Sequence, residues 1–245
     1  MAQYSSRDKR YITGPIRIQA RPRVIVFDHL SAMHLGQTML HDISLTVYEG
    51  ESVAILGEPG AGKSMLLASL QGLVQPVQGH IHILGAEVPP VPPTIQRQIG
   101  VMPQHLNQPG KDTVADYLRH FAAMHEILLS QAQVNEYSHH YRLDPLCQIS
   151  QLTELQRRIL FLALGLVHDP RLVLLDEPLA GLSAIDHPVI WQYMRQMQSE
   201  GRTLLTTFTP PLADEHLSGY DVIIELMQGC LVRKADRKGI AAHAG

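Results

Sequence analysis

Residues 57–64 read Gly-Glu-Pro-Gly-Ala-Gly-Lys-Ser, which fits G-x-x-x-x-G-K-[ST]. The apolar run Val53-Ala54-Ile55-Leu56 before it reads as a buried strand, and Met65 to Leu70 after it reads as the start of a helix. A strand, a glycine loop and a helix in that order severely limit the fold. Successive backbone N–H groups in such a loop must point inward at one phosphate, and a Cβ would block the approach. The helix that follows adds the positive end of its dipole. The expected phosphate contacts are therefore Gly57, Glu58, Pro59, Gly60, Ala61, Gly62, Lys63, Ser64 and Met65. Lys63 is expected to reach the β- and γ-phosphates, and the Ser64 hydroxyl to bind Mg²⁺.

A second run narrows the chemistry. Leu172-Val173-Leu174-Leu175-Asp176-Glu177 is an apolar strand that ends in two carboxylates. Adjacent carboxylates at a strand end repel unless a metal or another partner stabilises them. With a phosphate loop upstream, Asp176 is the expected Mg²⁺ holder and Glu177 the expected base that polarises an attacking water.

Strand and helix signals then alternate along the chain. Strands are expected at Val24 to Leu30, Ile43 to Tyr48, Ser52 to Leu56, His80 to Leu84, Gln98 to Met102, Leu172 to Leu175, Thr203 to Thr207, Asp221 to Leu226 and Cys230 to Arg233. Helices are expected at Thr113 to Glu126, around Ser130 to Arg142, at Thr153 to His168 and at Ala184 to Ser199, with Thr113 and Asp116 forming a capping box. The alternation predicts an α/β fold with a mostly parallel central sheet, an antiparallel β edge and an inserted helical subdomain at about 107–168. Pro89-Pro90-Val91-Pro92-Pro93 reads as a stiff connector. Residues 1–22 form a basic tail, 23–235 the main domain and 236–245 a second tail.

Composition excludes several classes. The net charge of −3 gives the whole chain no attraction for a polyanion, and neither a second glycine loop nor sustained heptads appear. Nucleic acid is not an expected partner. Six basic residues and one acid stand before position 24, so the basic charge is concentrated at the N-terminus, where Gly14, Pro15 and Pro22 break any amphipathic helix. Cys147 and Cys230 make no disulfide framework, and a reducing compartment is expected. The longest apolar run, Ile159 to Val167, is too short to span a bilayer.

These motifs, in this order, resemble the ATPase subunits of ATP-binding cassette (ABC) transporters over about residues 23–235. Leu174 to Pro178 followed by Ala180-Gly181-Leu182 is similar to the Walker B and D-loop run of that family, and Asp112 to Ile127 resembles exporter-type cassettes. Gln104 is similar to the family's Q-loop glutamine, which touches Mg²⁺ and the attacking water. The resemblance implies a P-loop NTPase that binds ATP and Mg²⁺ and hydrolyses ATP to power transport, export being the direction implied. It implies a peripheral position at the cytoplasmic face of a membrane, an integral membrane permease subunit as partner, and a second ATPase subunit in a hetero- or homodimer. Glu177, Gln104 and Lys63 are the implied catalytic set, and Ser64, Gln104 and Asp176 the implied metal set. His34 aligns with the aromatic that stacks on adenine.

The departures from the pattern are as specific. Leu152-Thr153-Glu154-Leu155-Gln156 aligns with the signature loop Leu-Ser-Gly-Gly-Gln, and both glycines are gone. Glu154 is expected to bring a carboxylate towards the γ-phosphate held by an opposing subunit, a repulsion of about 4 kcal/mol at 4 Å and an effective dielectric of 20. Phe208 stands at the switch-histidine position and Ser183 at the D-loop aspartate. The expectation is a degenerate half of an asymmetric pair, slow or partner-dependent in turnover. The alternative is a structural or regulatory cassette with little or no hydrolysis.

Overall fold

The computed structural model describes residues 21–102, 111–212 and 214–236. Gln104 and all of the N-terminal tail except Arg21 and Pro22 lie outside the described residues, as do residues 237–245. The chain opens with β1 (Arg23–His34), β2 (Gln37–Tyr48) and β3 (Ser52–Leu56). Then come α1 (Lys63–Leu70), β4 (Pro76–Ile83), β5 (Ala86–Val88), the short α2 (Pro93–Gln96) and β6 (Ile99–Met102). Three helices follow: α3 (Val114–Met124), α4 (Gln131–His140) and α5 (Glu154–Leu166). The chain then runs through β7 (Leu172–Leu175), α6 (His187–Ser199), β8 (Thr203–Phe208), α7 (Asp214–Leu217), β9 (Val222–Met227) and β10 (Cys230–Asp236).

Two sheets result. The first has the order β2-β1-β4-β5 and is antiparallel throughout. The second has the order β10-β9-β3-β8-β7-β6, parallel except where β10 closes the edge against β9. Side chains alternate across the parallel sheet, so each strand feeds two cores. Val173, Leu175, Leu204 and Phe208 pack with α3 to α6 on one face. Leu172, Leu174, Leu205, Val53 and Ile55 pack with α1 and the antiparallel sheet on the other. This alternation decides what reaches the phosphate loop, because α1 lies on the second face.

Local chemistry sets the helix starts. Thr113, Ser130 and Thr153 each cap a helix and each closes a capping box with the residue three further on, satisfying donors that a helix start leaves orphaned. Several expected boundaries are corrected: β1, β2 and β4 run longer than the expected Val24 to Leu30, Ile43 to Tyr48 and His80 to Leu84, because antiparallel pairing extends them. Helix α6 begins at His187 rather than Ala184, because Pro188 is tolerated only in a first turn. Residues 183–186 form a turn instead, in which the Ser183 hydroxyl donates to Asp186 Oδ2 at 2.7 Å. The proline connector ends in α2, with Pro93 at its first position, and β5 precedes it; neither element was expected.

Phe208 is a core residue. Its ring is 2% exposed, stacks on Trp191 with centroids 5.3 Å apart and meets Tyr220 edge-on at 5.9 Å. Phe208→Ala removes that packing and leaves a cavity, so it is expected to cost about 3–5 kcal/mol. Urea unfolding at constant m-value measures it; a loss under 1 kcal/mol contradicts the packing described.

Candidate functional site

The loop after β3 is shaped by close backbone approach. A Cβ on Gly57 would lie 2.5 Å from the Leu226 carbonyl and 2.9 Å from Ala61 Cβ, so no other residue fits without displacing the loop. Gly57 N–H donates to the Phe208 carbonyl at 3.2 Å, which ties the loop to β8. Gly62 caps α1 at φ 102, a left-handed conformation that glycine adopts without steric cost. No side chain caps this helix, and its first residues, Lys63, Ser64 and Met65, line the cleft beside the loop.

That cleft has a volume of about 650 Å³, and Met39, Gly60, Lys63, Ser64, Glu177 and Thr209 are among its lining residues. The size suits a nucleotide-sized ligand. Lys63 is 6% exposed and Glu177 15%, and Lys63 Nζ lies 3.0 Å from Glu177 Oε1. The same ammonium donates to the Gly57 carbonyl at 2.5 Å, to the Glu58 carbonyl at 3.3 Å and to Thr209 Oγ1 at 3.1 Å. Opposite charges at this separation attract by roughly 5 kcal/mol at an effective dielectric of 20, set against the cost of desolvating both. A phosphate entering the loop competes with Glu177 for Lys63.

The carboxylates are held from β8. Strand β7 pairs in parallel with β8, Leu175 opposite Thr206, so Asp176 and Glu177 emerge beside Thr207. The Thr207 hydroxyl donates to Asp176 Oδ1 at 2.6 Å and accepts from Glu177 N–H at 2.9 Å. Glu177 has a φ of 46°, uncommon for a non-glycine residue, and the Thr207 contact holds that turn in place. Its carboxylate accepts from Thr209 N–H at 3.0 Å through Oε2 and from the Thr209 hydroxyl at 2.6 Å through Oε1.

Asp176 offers one carboxylate and Ser64 one hydroxyl. Both are hard oxygen donors of the kind Mg²⁺ takes when phosphate oxygens and waters complete its shell. The residues present therefore fit a Mg²⁺–nucleotide complex.

The stretch aligned with the signature loop forms the start of a helix. Thr153 caps α5, and its hydroxyl accepts from Gln156 N–H at 3.2 Å. Glu154 does not stand as a lone carboxylate. It pairs with Arg157 at 3.1 Å and with Arg158 at 3.5 Å. One carboxylate against two guanidiniums offsets the expected repulsion of about 4 kcal/mol. Burial pulls the Arg158 guanidinium below its ordinary range while Glu154 opposes that shift. Arg158 also donates to the Ala180 carbonyl at 2.5 Å, linking α5 to the turn after Glu177.

The structure thus brings together Pro59 to Met65 and Glu177 around one cleft, with Asp176 held beside Glu177; Gly57 and Glu58 are not among the lining residues, and their carbonyls accept from Lys63 instead. His34 sits exposed at the end of β1, opposite Gln37 in the hairpin, and is not among the cleft-lining residues; Met39 is. Sequence reasoning missed Thr207, Thr209, Met39 and the Arg157–Arg158 pair. The signal for the threonines was present in Thr207-Phe208-Thr209, whose alternation puts both hydroxyls on the face opposite the phenyl ring.

Comparison with known proteins agrees with this geometry. A family model described as ABC transporter matches residues 40–180, more than half of the chain. The phospholipid-transporting ATPase ABCA3 of Mus musculus is 30% identical over 179 residues, covering 71% of this chain and 10% of that protein. The Nod factor export ATP-binding protein I of Rhizobium johnstonii is 31% identical over 193 residues, covering 76% of this chain and 61% of that protein. The chain therefore spans less than two thirds of the length of either relative. Among solved structures, the ATP-binding cassette MJ0796, dimeric and bound to ADP and Pi, superposes with a TM-score of 0.76 at 19% identity, covering 88% of this chain and 100% of that one. The loop, the paired carboxylates and the shared fold lead to one assignment: the chain belongs to the ABC transporter family, as one of its ATP-binding cassettes.

Proposed function

We propose that this chain is the ATP-hydrolysing subunit that powers an ABC membrane transporter, in the direction of export. One observation carries the reading: Lys63, Glu177 and Thr209 meet within 3.1 Å of one another at the phosphate loop. That is a cation for the γ-phosphate and a base for water in one cleft. The nucleotide-binding domain is assigned to 23–235, with its helical subdomain at about 107–168 and tails at 1–22 and 236–245.

In this reading the triphosphate lies along the amides of Gly57 to Met65, and Lys63 leaves Glu177 to meet the β- and γ-phosphates. Ser64, Asp176 and Gln104 would hold Mg²⁺, which when bound neutralises charge on the phosphate oxygens. Glu177 takes the proton from the attacking water. His34 is assigned to the purine ring. Release of phosphate lets Lys63 return to Glu177, so the pair couples the loop to the bound state of the site.

Two features support unequal sites in a dimer. Leu155 stands where close backbone approach needs glycine, and the Phe208 ring is turned into the core. The chain is proposed as the degenerate half of an asymmetric pair, its own site completed by a second cassette. The alternative, a binding subunit with a structural or regulatory role and little hydrolysis, is favoured by the same Phe208 and opposed by the clamped Glu177. The similarity to a Nod factor export protein supports export.

Among the described residues no helix is long and apolar enough to cross a membrane, so the spanning part is assigned to a partner permease, with this chain peripheral at its cytoplasmic face. Affinity purification of the full chain from detergent-solubilised membranes tests this. An integral membrane protein is expected to co-elute in near-stoichiometric amount. Recovery with ribosomes or DNA instead would remove the transport reading.

A further inference from the structure

The geometry points to Thr209 as the positioning residue for the Glu177 carboxylate during ATP hydrolysis, a role that falls to it because the ring of Phe208 is buried on the opposite face of the strand. The inference rests on the reading of Glu177 as the general base.

Strand periodicity makes the first part of the case. Residues 204 and 208 point into the helical core, and 205 points toward α1. Thr207 continues the second row within β8, and Thr209 extends it just beyond the strand end. The two hydroxyls serve different carboxylates: Thr207 holds Asp176 at 2.6 Å, and Thr209 holds Glu177 at 2.6 Å. Phe208 cannot share this task, since its ring packs between Trp191 and Tyr220.

Hydrogen-bond bookkeeping makes the second part. Thr209 engages both oxygens of Glu177, its N–H to Oε2 at 3.0 Å and its hydroxyl to Oε1 at 2.6 Å. Two bonds to the two oxygens fix the carboxylate plane as well as its place. The hydroxyl has one proton to give and lone pairs to accept with; it gives the proton to Glu177 and accepts from Lys63 at 3.1 Å. When the γ-phosphate draws Lys63 away, Glu177 loses its cation but keeps both Thr209 bonds. The base then stays aimed at the water instead of rotating in a widened cleft. Misplacement of a reacting group by about 1 Å costs on the order of 100-fold in rate.

Thr209→Ala, Thr209→Val and Thr209→Ser are compared with wild type and Glu177→Gln in the complex that co-purifies with the full chain from membranes, second cassette included, by single-turnover hydrolysis of labelled ATP with Mg²⁺ and by ATP affinity. Thr209→Val keeps the side-chain volume and removes the hydroxyl. Thr209→Ala and Thr209→Val are both expected to lower the rate constant for hydrolysis about 10- to 100-fold at saturating ATP, with affinity within about twofold. Thr209→Ser is expected to restore the rate to within about threefold. A hydroxyl-free variant that hydrolyses as fast as wild type, while Glu177→Gln is inactive, overturns the role of Thr209 and leaves that of Glu177 standing. So does a parallel loss of affinity, or a serine variant as slow as alanine. Wild type no faster than Glu177→Gln overturns both readings together.

Discussion

Replacing Lys63 with alanine is expected to weaken ATP binding by about 100- to 10,000-fold. Hydrogen bonds to charged groups contribute about 1.5–3 kcal/mol each, and the ammonium is placed to make two of them to the β- and γ-phosphates. Each 1.4 kcal/mol is a factor of ten in affinity. The substitution acts on the free protein too. Lys63 is the cation beside Glu177, at 3.0 Å, and its removal leaves a carboxylate only 15% exposed facing Thr209 without a counter-charge. Lower thermal stability of the ligand-free chain should therefore accompany the lost affinity. Isothermal calorimetry with Mg²⁺ present reads the first effect, and a thermal melt reads the second. Unchanged affinity would contradict the assignment of the loop.

Glu177→Gln should behave in the opposite way. General-base catalysis contributes about 100- to 10,000-fold, and turnover is expected to fall by that range. Affinity for ATP is expected to hold or to tighten. The amide is neutral and no longer competes with phosphate for Lys63, while its oxygen can still accept from the Thr209 hydroxyl now 2.6 Å from Glu177 Oε1. Bound ATP then persists, and the clamped dimer accumulates. Size-exclusion chromatography with and without ATP, of the chain together with its second cassette, measures that, alongside steady-state phosphate release. Turnover equal to wild type would remove Glu177 from the role of base. The pair of variants separates binding from chemistry: one loses the ligand, the other keeps it unreacted.

Much of this arrangement is legible in the sequence, for reasons that differ by element. The strands β3 and β7 match their expected limits because a short apolar run bounded by glycine or carboxylates leaves little choice of register. The capping box at Thr113 is a local signal and appears as read. The phosphate loop and the two carboxylates are contiguous motifs, so each is visible in a single window. What joins them is not. Thr207 reaches Asp176 across 31 positions and Thr209 reaches Glu177 across 32, through parallel strand pairing that leaves no mark in either segment.

The ion pairs of Glu154 are a related case. An isolated carboxylate beside a phosphate is repelled, but Arg157 and Arg158 lie three and four residues on, on the same helical face, and neutralise it. That pattern was present in the sequence and needed only the helix phase that Thr153 sets. Phe208 stands at the position aligned with the switch histidine, and the core explains the phenyl ring: the strand turns that position toward Trp191. Placing the phenyl ring in the core puts the hydroxyl of the next residue at the base.

Equilibrium dialysis of the purified chain against labelled ATP, with magnesium in excess, tests the central claim most directly. The account predicts saturable uptake approaching one ATP per chain, displaced by unlabelled ATP and abolished by Lys63→Ala. No saturable uptake by the wild-type chain, or equal uptake by the Lys63→Ala chain, would contradict it.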